Sequence, residues 1–441
     1  MATPALEELE PERLSLVDTA WLHMEMPTNL MMVGSLAFFD APVDRNQLLT
    51  ALDHRLLIHP RFRERVEVAR LGPPKWVPDP MFDLNEHVRR IALPAPGGEN
   101  ELRGLLGDLM STPLDMTRPL WDAHVIENYR GGSIVFTRIH HCIADGSALV
   151  QVLLSLSSTT AAGSLRAPRF ERRGASTNGR LHLPSLDPRR AVGSLIELGT
   201  HAYTLARLSA LWPDTATPLR GKLVRSKKVA WTEPFPLESL RALRAETDYT
   251  VNDILVAAVA GALRTYIRRH NGGSVPDHVR AMVPVDMRPK AANGKLGNQF
   301  GLVFLDMPVG LANRFDRLEA VHARMDEARR SPQPSVALEV LGAMGLVPQV
   351  VQRQVVRFFG SKGTAVVTNV RGPDRPLYLA GRQLRNLTFF VPQSAMLGLG
   401  ISIMTYAGNI QMGVIADSGL VPDPVTIARQ IMREMRTLAS S

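Results

Sequence analysis

The sequence is poor in cysteine and in long apolar runs. Cys142 is the one cysteine among 441 residues, so an intrachain disulfide is excluded. The longest stretch without Asp, Glu, Lys, Arg or His, residues 386–416, is interrupted by a proline and several glycines. A membrane-spanning helix needs about 20 mostly apolar residues, and we interpret this stretch as buried strands. The acidic first residues lack the pattern of a signal peptide, and with the single cysteine they predict a reducing cytosol.

The sequence also lacks the signals of nucleic-acid and metal binding. Its net charge is +9, but it has no zinc-finger spacing and no RNP-type motif. The arginines are scattered over the predicted helices, as is typical of solvated faces. We therefore expect no nucleic-acid partner, whereas anionic lipid or a phosphate-bearing small molecule suits a basic surface. No cluster of ligands at zinc-like spacing is present, and no metal site is predicted.

The length and the composition predict a globular protein of two domains. A chain of 441 residues with 45% hydrophobic content is too long for one ordinary core. Arginines among glycine, serine and proline from Gly163 onward are typical of a linker. We therefore place an N-terminal domain at residues 1–162, a basic linker at 163–230 and a C-terminal domain at 231–441. Both domains mix strand and helix patterns, which indicates an α/β fold.

One amphipathic helix is predicted inside the linker, at residues 191–212. Its apolar side chains fall toward one side, at Val192, Leu195, Ile196, Tyr203, Leu205 and Leu208. The simpler interpretation is a helix that crosses between the domains. A basic amphipathic segment also suits an anionic membrane surface, so the alternative is a peripheral membrane anchor.

The most specific pattern is His140–Gly146, which reads His-His-x-x-x-Asp-Gly. The run before it, residues 134–140, predicts a strand that follows a hairpin turn. The apolar run after it, residues 147–158, predicts a largely buried helix. The strand delivers both histidines to its end. A histidine that can take up a proton near neutral pH suits general-base catalysis at such a position.

The two histidines cannot both face one site, because adjacent side chains on an extended segment point in opposite directions. We assign the catalytic base to His141 and a supporting role to His140. From the spacing alone, Asp145 could turn back and orient His141. Cys142 stands at a spacer position and is interpreted as a packing residue. Gly146 is interpreted as part of a tight turn that needs unusual backbone angles.

Further motifs extend this pattern over nearly the whole chain. They are Leu14-Ser15 with Asp18, Pro119-Leu120-Trp121, Asn252-Asp253, and residues 283–288, 297–301 and 368–373. In this combination the sequence resembles the bacterial wax ester synthase/diacylglycerol acyltransferase family, within the CoA-dependent acyltransferases that share HHxxxDG. The HHxxxDG motif by itself would leave the condensation domains of peptide synthetases open.

The resemblance implies two α/β sandwich domains similar to chloramphenicol acetyltransferase, with an active-site tunnel at their interface. It implies acyl-CoA as the donor, a fatty alcohol or a diacylglycerol as the acceptor, and no metal or prosthetic group. Asp145 resembles a structural residue of that family whose partner is an arginine, and Arg288 matches the position of this arginine. We expect this ion pair rather than a catalytic dyad of Asp145 and His141.

Asn252 and the tunnel positions also follow from the resemblance. Asn252 could donate a hydrogen bond to the oxyanion of the tetrahedral intermediate, or it could only cap a helix. The candidates for the tunnel lining are Pro119, Leu120, Trp121, Thr368 and Asn369, although a proline or a tryptophan is as often a core residue. The 18 methionines suit either a soft lining for acyl chains or ordinary core packing, and we favour packing.

The sequence therefore predicts an O-acyltransferase that makes wax esters, triacylglycerol or both. Its expected place is the cytoplasm, peripherally on the inner membrane or on lipid droplets. One alternative is a condensation-type transferase that uses a carrier-protein thioester, which the lack of an attached carrier domain disfavours. The other is a non-catalytic lipid-binding relic of the fold, which the intact HHxxxDG motif disfavours.

Overall fold

A computed structural model describes residues 11–68, 72–167, 188–245, 247–288, 297–393 and 396–440. The strands of these ranges are β1 Glu12–Arg13, β2 Met32–Phe39, β3 Glu64–Glu67, β4 Lys75–Pro78, β5 Val88–Ala92, β6 Trp121–Tyr129, β7 Gly132–His140, β8 Lys227–Trp231, β9 Phe235–Pro236, β10 Val279–Asp286, β11 Phe300–Met307, β12 Ala365–Arg371, β13 Tyr378–Leu379, β14 Arg382–Phe390, β15 Leu399–Tyr406 and β16 Asn409–Asp417.

The α-helices of the same ranges are α1 Leu16–Met24, α2 Arg45–Arg55, α3 Leu84–His87, α4 Glu99–Ser111, α5 Gly146–Leu156, α6 Ala161–Ser164, α7 Pro188–Ala210, α8 Arg241–Ala245, α9 Val251–His270, α10 Arg314–Arg330, α11 Gln333–Met344, α12 Gln349–Gly360 and α13 Pro424–Ala439. Short 3-10 helices cover Pro60–Phe62 and Leu237–Leu240. Much of the predicted linker, residues 168–187, lies outside the described residues. The helix predicted at 191–212 is α7.

Two mixed sheets organise the chain, in agreement with the predicted α/β fold. The N-terminal sheet has six strands in the order β13-β14-β2-β7-β6-β5. The C-terminal sheet has seven, in the order β11-β10-β12-β15-β16-β8, with β9 paired to β16. Helices α9, α10 and α13 pack together on one face of the C-terminal sheet and enclose a core of their own. A second core lies around the N-terminal sheet and reaches into the contact between the two domains.

Local sequence signals explain the elements that lead to the HHxxxDG motif. The turn between β6 and β7 is formed by Arg130 and Gly131, whose φ values are 50° and 78°. Two successive positive φ values characterise the two-residue turns that join antiparallel strands, and the predicted hairpin is confirmed. Strand β7 then pairs with β2 so that His140 lies opposite Met32. The motif therefore emerges at the end of a central strand.

Strand pairing crosses the predicted domain boundaries at two places. Strands β13 and β14, from the predicted C-terminal domain, join the N-terminal sheet, where β14 pairs with β2 and Leu387 lies opposite Ala37. Strand β8, at the end of the predicted linker, pairs with β16 in the C-terminal sheet. The pattern of a strand predicts its extended conformation but not its partner, and pairing between distant segments decides the domain.

The stretch without charged residues, 386–416, forms most of β14, all of β15 and most of β16. This agrees with its interpretation as buried strands. Across the described ranges, no helix combines the length and the apolar content that a membrane crossing needs.

Candidate active site

The spacing of the HHxxxDG motif follows from a strand, a turn and a helix cap. Beyond the end of β7, the backbone N–H of His141 still donates to the carbonyl oxygen of Met31, at 2.7 Å. The chain then turns, and Asp145 caps α5 by accepting the N–H of Ala148 at 3.0 Å. The three residues between His141 and Asp145 form this turn, which accounts for the three spacer positions of the motif. The arrangement fixes the position of His141 relative to the start of α5.

The side chain of His141 lines a cavity between the two domains. Its ring stacks on Trp21 with the centroids 4.1 Å apart, and Phe300 lies 5.6 Å away on another side. Nδ1 of His141 is buried and has no hydrogen-bond partner among the described residues. Burial lowers the pKa of His141 to about 4, and the Asp145 carboxylate opposes this only in part. The imidazole is therefore neutral at pH 7 and able to accept a proton.

A network of buried polar side chains holds the backbone of the motif. Nδ2 of Asn298 donates to the carbonyl oxygen of His141 at 2.7 Å and to Oδ1 of Asp18 at 2.8 Å. Nη1 of Arg61 donates to Oδ2 of Asp18 at 3.2 Å and to the carbonyl oxygen of Ile143 at 3.1 Å. Burial raises the pKa of Asp18, which Arg61 and Asn298 counteract. The three side chains thereby fix two carbonyl groups of the turn.

The predicted ion pair of Asp145 and Arg288 is present. Nη2 of Arg288 lies 2.5 Å from Oδ2 of Asp145, and the two side chains are 10% and 5% exposed. The same oxygen accepts the N–H of Gln299 at 3.0 Å, and Arg288 also donates to the carbonyl oxygen of Gly297 at 2.8 Å. The described hydrogen bonds of Asp145 do not include His141. Asp145 therefore joins the turn to the C-terminal domain instead of orienting the imidazole.

The prediction for Gly146 is wrong, because this residue begins α5 and does not have a positive φ. The constraint on it is steric. A Cβ atom at position 146 would lie 3.3 Å from Cγ2 of Val370, closer than ordinary van der Waals contact. The position therefore favours glycine because the side chain of Val370 leaves little room for a Cβ atom.

His140 points away from the cavity, as alternation along the strand predicts. Its side chain is 1% exposed, and its Nδ1 accepts the backbone N–H of Cys142 at 3.1 Å. Its Nε2 lies 3.4 Å from the Glu25 carboxylate. The backbone N–H of His140 donates to Leu120 at 2.9 Å. Cys142 is fully buried, in the packing position that we expected.

Asn252 is not among the residues that line the His141 cavity, but it contacts one of them. Thr368 and Asn369 line the cavity together with His141, and Nδ2 of Asn369 donates to Oδ1 of Asn252 at 2.8 Å. The cap of α9 is formed instead by Thr250 and Asp253, whose side chains each accept the other's backbone N–H, at 3.2 and 2.9 Å. The capping interpretation is therefore wrong for Asn252. The structure brings Asn369, held by Asn252, to the cavity.

The Pro119-Leu120-Trp121 triplet divides between packing and lining. Leu120 is fully buried, and its carbonyl oxygen holds the N–H of His140. Trp121 lines a separate apolar cavity, and its Nε1 donates to Phe62 at 2.9 Å. Neither Pro119 nor Leu120 is among the residues found to line that cavity or the His141 cavity. Of the three, Trp121 alone reaches a candidate tunnel in the described structure.

Two apolar cavities adjoin the His141 cavity from opposite domains. The N-terminal apolar cavity lies between the N-terminal sheet, α2 and α5, and it shares Val33, Gly146, Val370 and Phe389 with the His141 cavity. The C-terminal apolar cavity lies among α1, α7, β11, α11 and α12, and it shares Trp21, Met282 and Leu302 with the His141 cavity. Most of the buried methionines lie in the cores rather than in these linings, in agreement with the packing interpretation.

Four further residues of the site are not identified by the sequence alone: Trp21, Arg61, Asn298 and Phe300. Asn298 and Phe300 fall within a motif that supports the family resemblance, but the motif does not tell which atoms they contact. Asn298 and Asp18 are 280 positions apart along the chain. Only the docking of the C-terminal domain brings them together.

The fold and the site first define a class of protein. A wax ester synthase/diacylglycerol acyltransferase from Marinobacter aquaeolei VT8 matches the structure with a TM-score of 0.72 at 24% identity, over 98% of this chain and 100% of that one. The first condensation domain of the calcium-dependent antibiotic synthetase matches with a TM-score of 0.62 at 17% identity, over 98% and 96%. The chain has the two-domain fold, similar to chloramphenicol acetyltransferase, that these proteins share.

Sequence similarity narrows the class to one family. Residues 14–255 match the wax ester synthase/diacylglycerol acyltransferase catalytic domain, and residues 296–439 match the WS/DGAT C-terminal domain. The probable diacylglycerol O-acyltransferase tgs1 of Mycobacterium tuberculosis is 31% identical over 423 residues, which cover 90% of this chain and 89% of that protein. The corresponding values for tgs2 are 28% over 434 residues, 92% and 94%. This chain belongs to the wax ester synthase/diacylglycerol acyltransferase family and is an acyltransferase.

Proposed function

We propose that the protein transfers a long-chain acyl group from acyl-CoA to a fatty alcohol, to a diacylglycerol, or to both. The observation that carries this proposal is a neutral, buried imidazole at the junction of two apolar cavities. One cavity suits the acyl chain of the donor and the other suits the chain of the acceptor. A site for one apolar chain and one polar substrate would need only a single apolar cavity.

His141 acts as the general base in this reaction. The imidazole takes the proton of the acceptor hydroxyl while the hydroxyl oxygen attacks the thioester carbonyl carbon. The new C–O bond forms, the C–S bond breaks, and the proton passes to the departing CoA sulfur. A positioned base contributes about 10²–10⁴-fold to such a step. The second N–H of the Asn369 amide, whose other N–H donates to Asn252, stabilises the oxyanion, a contribution of about 10²–10³-fold.

The reaction calls for no metal ion or prosthetic group, because the thioester already carries an activated acyl group. CoA enters as part of a substrate. Wax esters and triacylglycerols are both insoluble in water, so the protein acts peripherally at a cytoplasmic membrane or a lipid droplet. We assign the acyl chain to the N-terminal apolar cavity and the acceptor chain to the C-terminal apolar cavity.

A radiolabelled transfer assay tests the proposal. The protein is given labelled long-chain acyl-CoA with hexadecanol, with a diacylglycerol, or with neither, and neutral lipids are separated. We expect a labelled wax ester or triacylglycerol that depends on the acceptor. A parallel reaction with an acyl-carrier-protein thioester tests the condensation-type alternative. The absence of product with any acceptor and acyl-CoA, but its formation from the carrier thioester, would favour that alternative.

The low pKa of His141 predicts an unusual pH dependence. A general base must be neutral to accept a proton. We therefore expect kcat/KM to stay constant on acidification and to fall only as the pH drops through about 4. An ordinary histidine would instead protonate near pH 6.5. The measurement is kcat/KM against pH, with circular dichroism at each pH to confirm folding. A decline centred near 6.5 in the folded protein would contradict the buried-base assignment.

The same pKa shift affects stability with a definite sign. The imidazole binds a proton near pH 6.5 in the unfolded chain but only near 4 in the folded one. The unfolded state therefore binds more protons between these two pH values. The titration of His141 thus lowers the free energy of unfolding as the pH falls. The His141→Ala variant should lose less stability than the parent protein over this range, as measured by urea unfolding at each pH.

Gly146→Ala should restrict the acyl chain. Gly146 is shared by the His141 cavity and the N-terminal apolar cavity, and a Cβ atom there would lie 3.3 Å from Val370. We expect kcat/KM to fall about tenfold more for a long-chain acyl-CoA than for butyryl-CoA, since one methyl group in a fitted pocket has effects of this size. Gly104→Ala on α4, where a Cβ meets no atom within 4 Å, is the matched control. Equal losses for both donors would place the acyl chain elsewhere.

A further inference from the structure

Helix α12 separates the C-terminal apolar cavity from the outside of the protein. Val355, Val356 and Phe359 on its inner face line the cavity. Its outer face also carries apolar side chains, with Val350 70% exposed and Phe358 46% exposed. The protein covers only the inner face of α12, and the apolar side chains of its outer face are open to solvent. The cavity is therefore one helix away from an apolar surface.

The exposed apolar residues form a defined surface, which we call the docking face. It consists of Leu346, Val350, Val351 and Phe358 around α12, and of Trp212, which is 85% exposed. The segment of Trp212 is tied to α12 by Lys362, whose ammonium group donates to the carbonyl oxygen of Leu211 and lies 4.2 Å from the ring centroid of Phe358. Leu205 and Leu208 of α7 line the cavity at the same end.

The charged side chains of α12 are all arginines. Arg353 and Arg357 are exposed on α12, and helical geometry places them beside Val350 on its outer face. The sequence contains no Asp or Glu between Glu339 and Asp374. Apolar side chains flanked by arginines, with no acidic residue among them, are typical of a helix that lies in a membrane interface. Anionic phospholipid head groups are the complementary partner.

We infer that the docking face binds the surface of an anionic bilayer and that the acceptor reaches the C-terminal apolar cavity directly from this bilayer. The second clause rests on the proposed function, since it needs a membrane-resident acceptor. The apolar side chains of the docking face enter the acyl region, and the two arginines contact lipid phosphates. The acceptor chain then passes beside α12 without crossing water, and its hydroxyl group reaches His141.

Vesicle co-sedimentation of the full-length protein tests the docking face without acyl-CoA, so that its outcome is independent of acyl transfer. The vesicles contain equal parts of phosphatidylglycerol and phosphatidylcholine, or phosphatidylcholine alone. We expect the parent protein to bind the anionic vesicles and Val350→Glu/Val351→Glu to bind them at least about tenfold more weakly. Met81→Glu, at an apolar residue that is 83% exposed in the N-terminal half, should bind like the parent protein. Thermal unfolding confirms that each variant is folded.

The arginines are tested separately. Arg353→Gln/Arg357→Gln should weaken binding to the anionic vesicles about tenfold, with little change for phosphatidylcholine alone. The inference is overturned if the parent protein does not bind anionic vesicles, or if Val350→Glu/Val351→Glu binds like the parent. It is also overturned if the parent is a dimer that this variant dissociates while neither binds vesicles, because the face would then join two copies of the chain.

Discussion

Replacing His141 by alanine is expected to reduce ester formation by about 10²–10⁴-fold, the usual contribution of a positioned general base, while the protein remains folded. The side chain makes no described hydrogen bond through Nδ1, so its removal leaves no polar partner unsatisfied there. The structural loss is the stacking contact with Trp21. The measurement is the initial rate of ester formation from long-chain acyl-CoA and hexadecanol, with thermal unfolding as the test of the fold.

His54→Ala is the control for this variant. The His54 side chain is 43% exposed, so its replacement removes an imidazole from the surface and should leave the rate unchanged. A His141→Ala protein that kept the full rate would show that another group accepts the proton. Loss of folding in His141→Ala would instead leave the rate uninterpretable, and His141→Gln, which keeps most of the volume, then carries the test.

Arg288→Met is expected to destabilise the protein by about 3–5 kcal/mol, because it leaves the Asp145 carboxylate buried without its cationic partner. The pair is almost completely buried, with 10% and 5% exposure, so water cannot replace the lost contact. The free energy of unfolding in urea measures the loss. The double variant Asp145→Asn/Arg288→Met should recover part of it, since both charges are then absent.

An exposed pair of the same residue types provides the comparison. Nη2 of Arg385 lies 2.7 Å from the Asp40 carboxylate, but the side chains are 54% and 39% exposed. Arg385→Met should therefore cost no more than about 1 kcal/mol. If Arg288→Met and Arg385→Met had the same small effect, burial would not govern the energy of the Asp145 pair, and its structural role would be refuted.

The sequence predicts those parts of the site that depend on neighbouring residues. The strand before His140, the turn, and the helix that begins at Gly146 follow from local periodicity and spacing. The opposite orientation of the two histidines follows from strand geometry. The partner of Asp145 was predicted from the family resemblance, since nothing in the spacing of the two residues brings Arg288 to it.

The remaining parts depend on contacts between distant segments. Trp21 is a tryptophan in a short helix, and no local pattern places it on the His141 ring. The pairing of β14 with the N-terminal sheet also depends on distant contacts. The apolar pattern of this strand suits either sheet, so the sequence does not predict which one it joins. The error at Gly146 has another cause: its constraint comes from the side chain of Val370, which the local sequence does not contain.

The position of β14 affects how the chain folds during its synthesis. The edge of β2 that β14 covers stays unpaired until residue 390 has left the ribosome, more than 300 residues after β2 itself. An unpaired apolar edge can pair with another chain, and large proteins are prone to aggregate at such incomplete stages. Efficient production of this protein therefore depends on protecting the nascent N-terminal half, and an isolated N-terminal domain would expose that edge permanently.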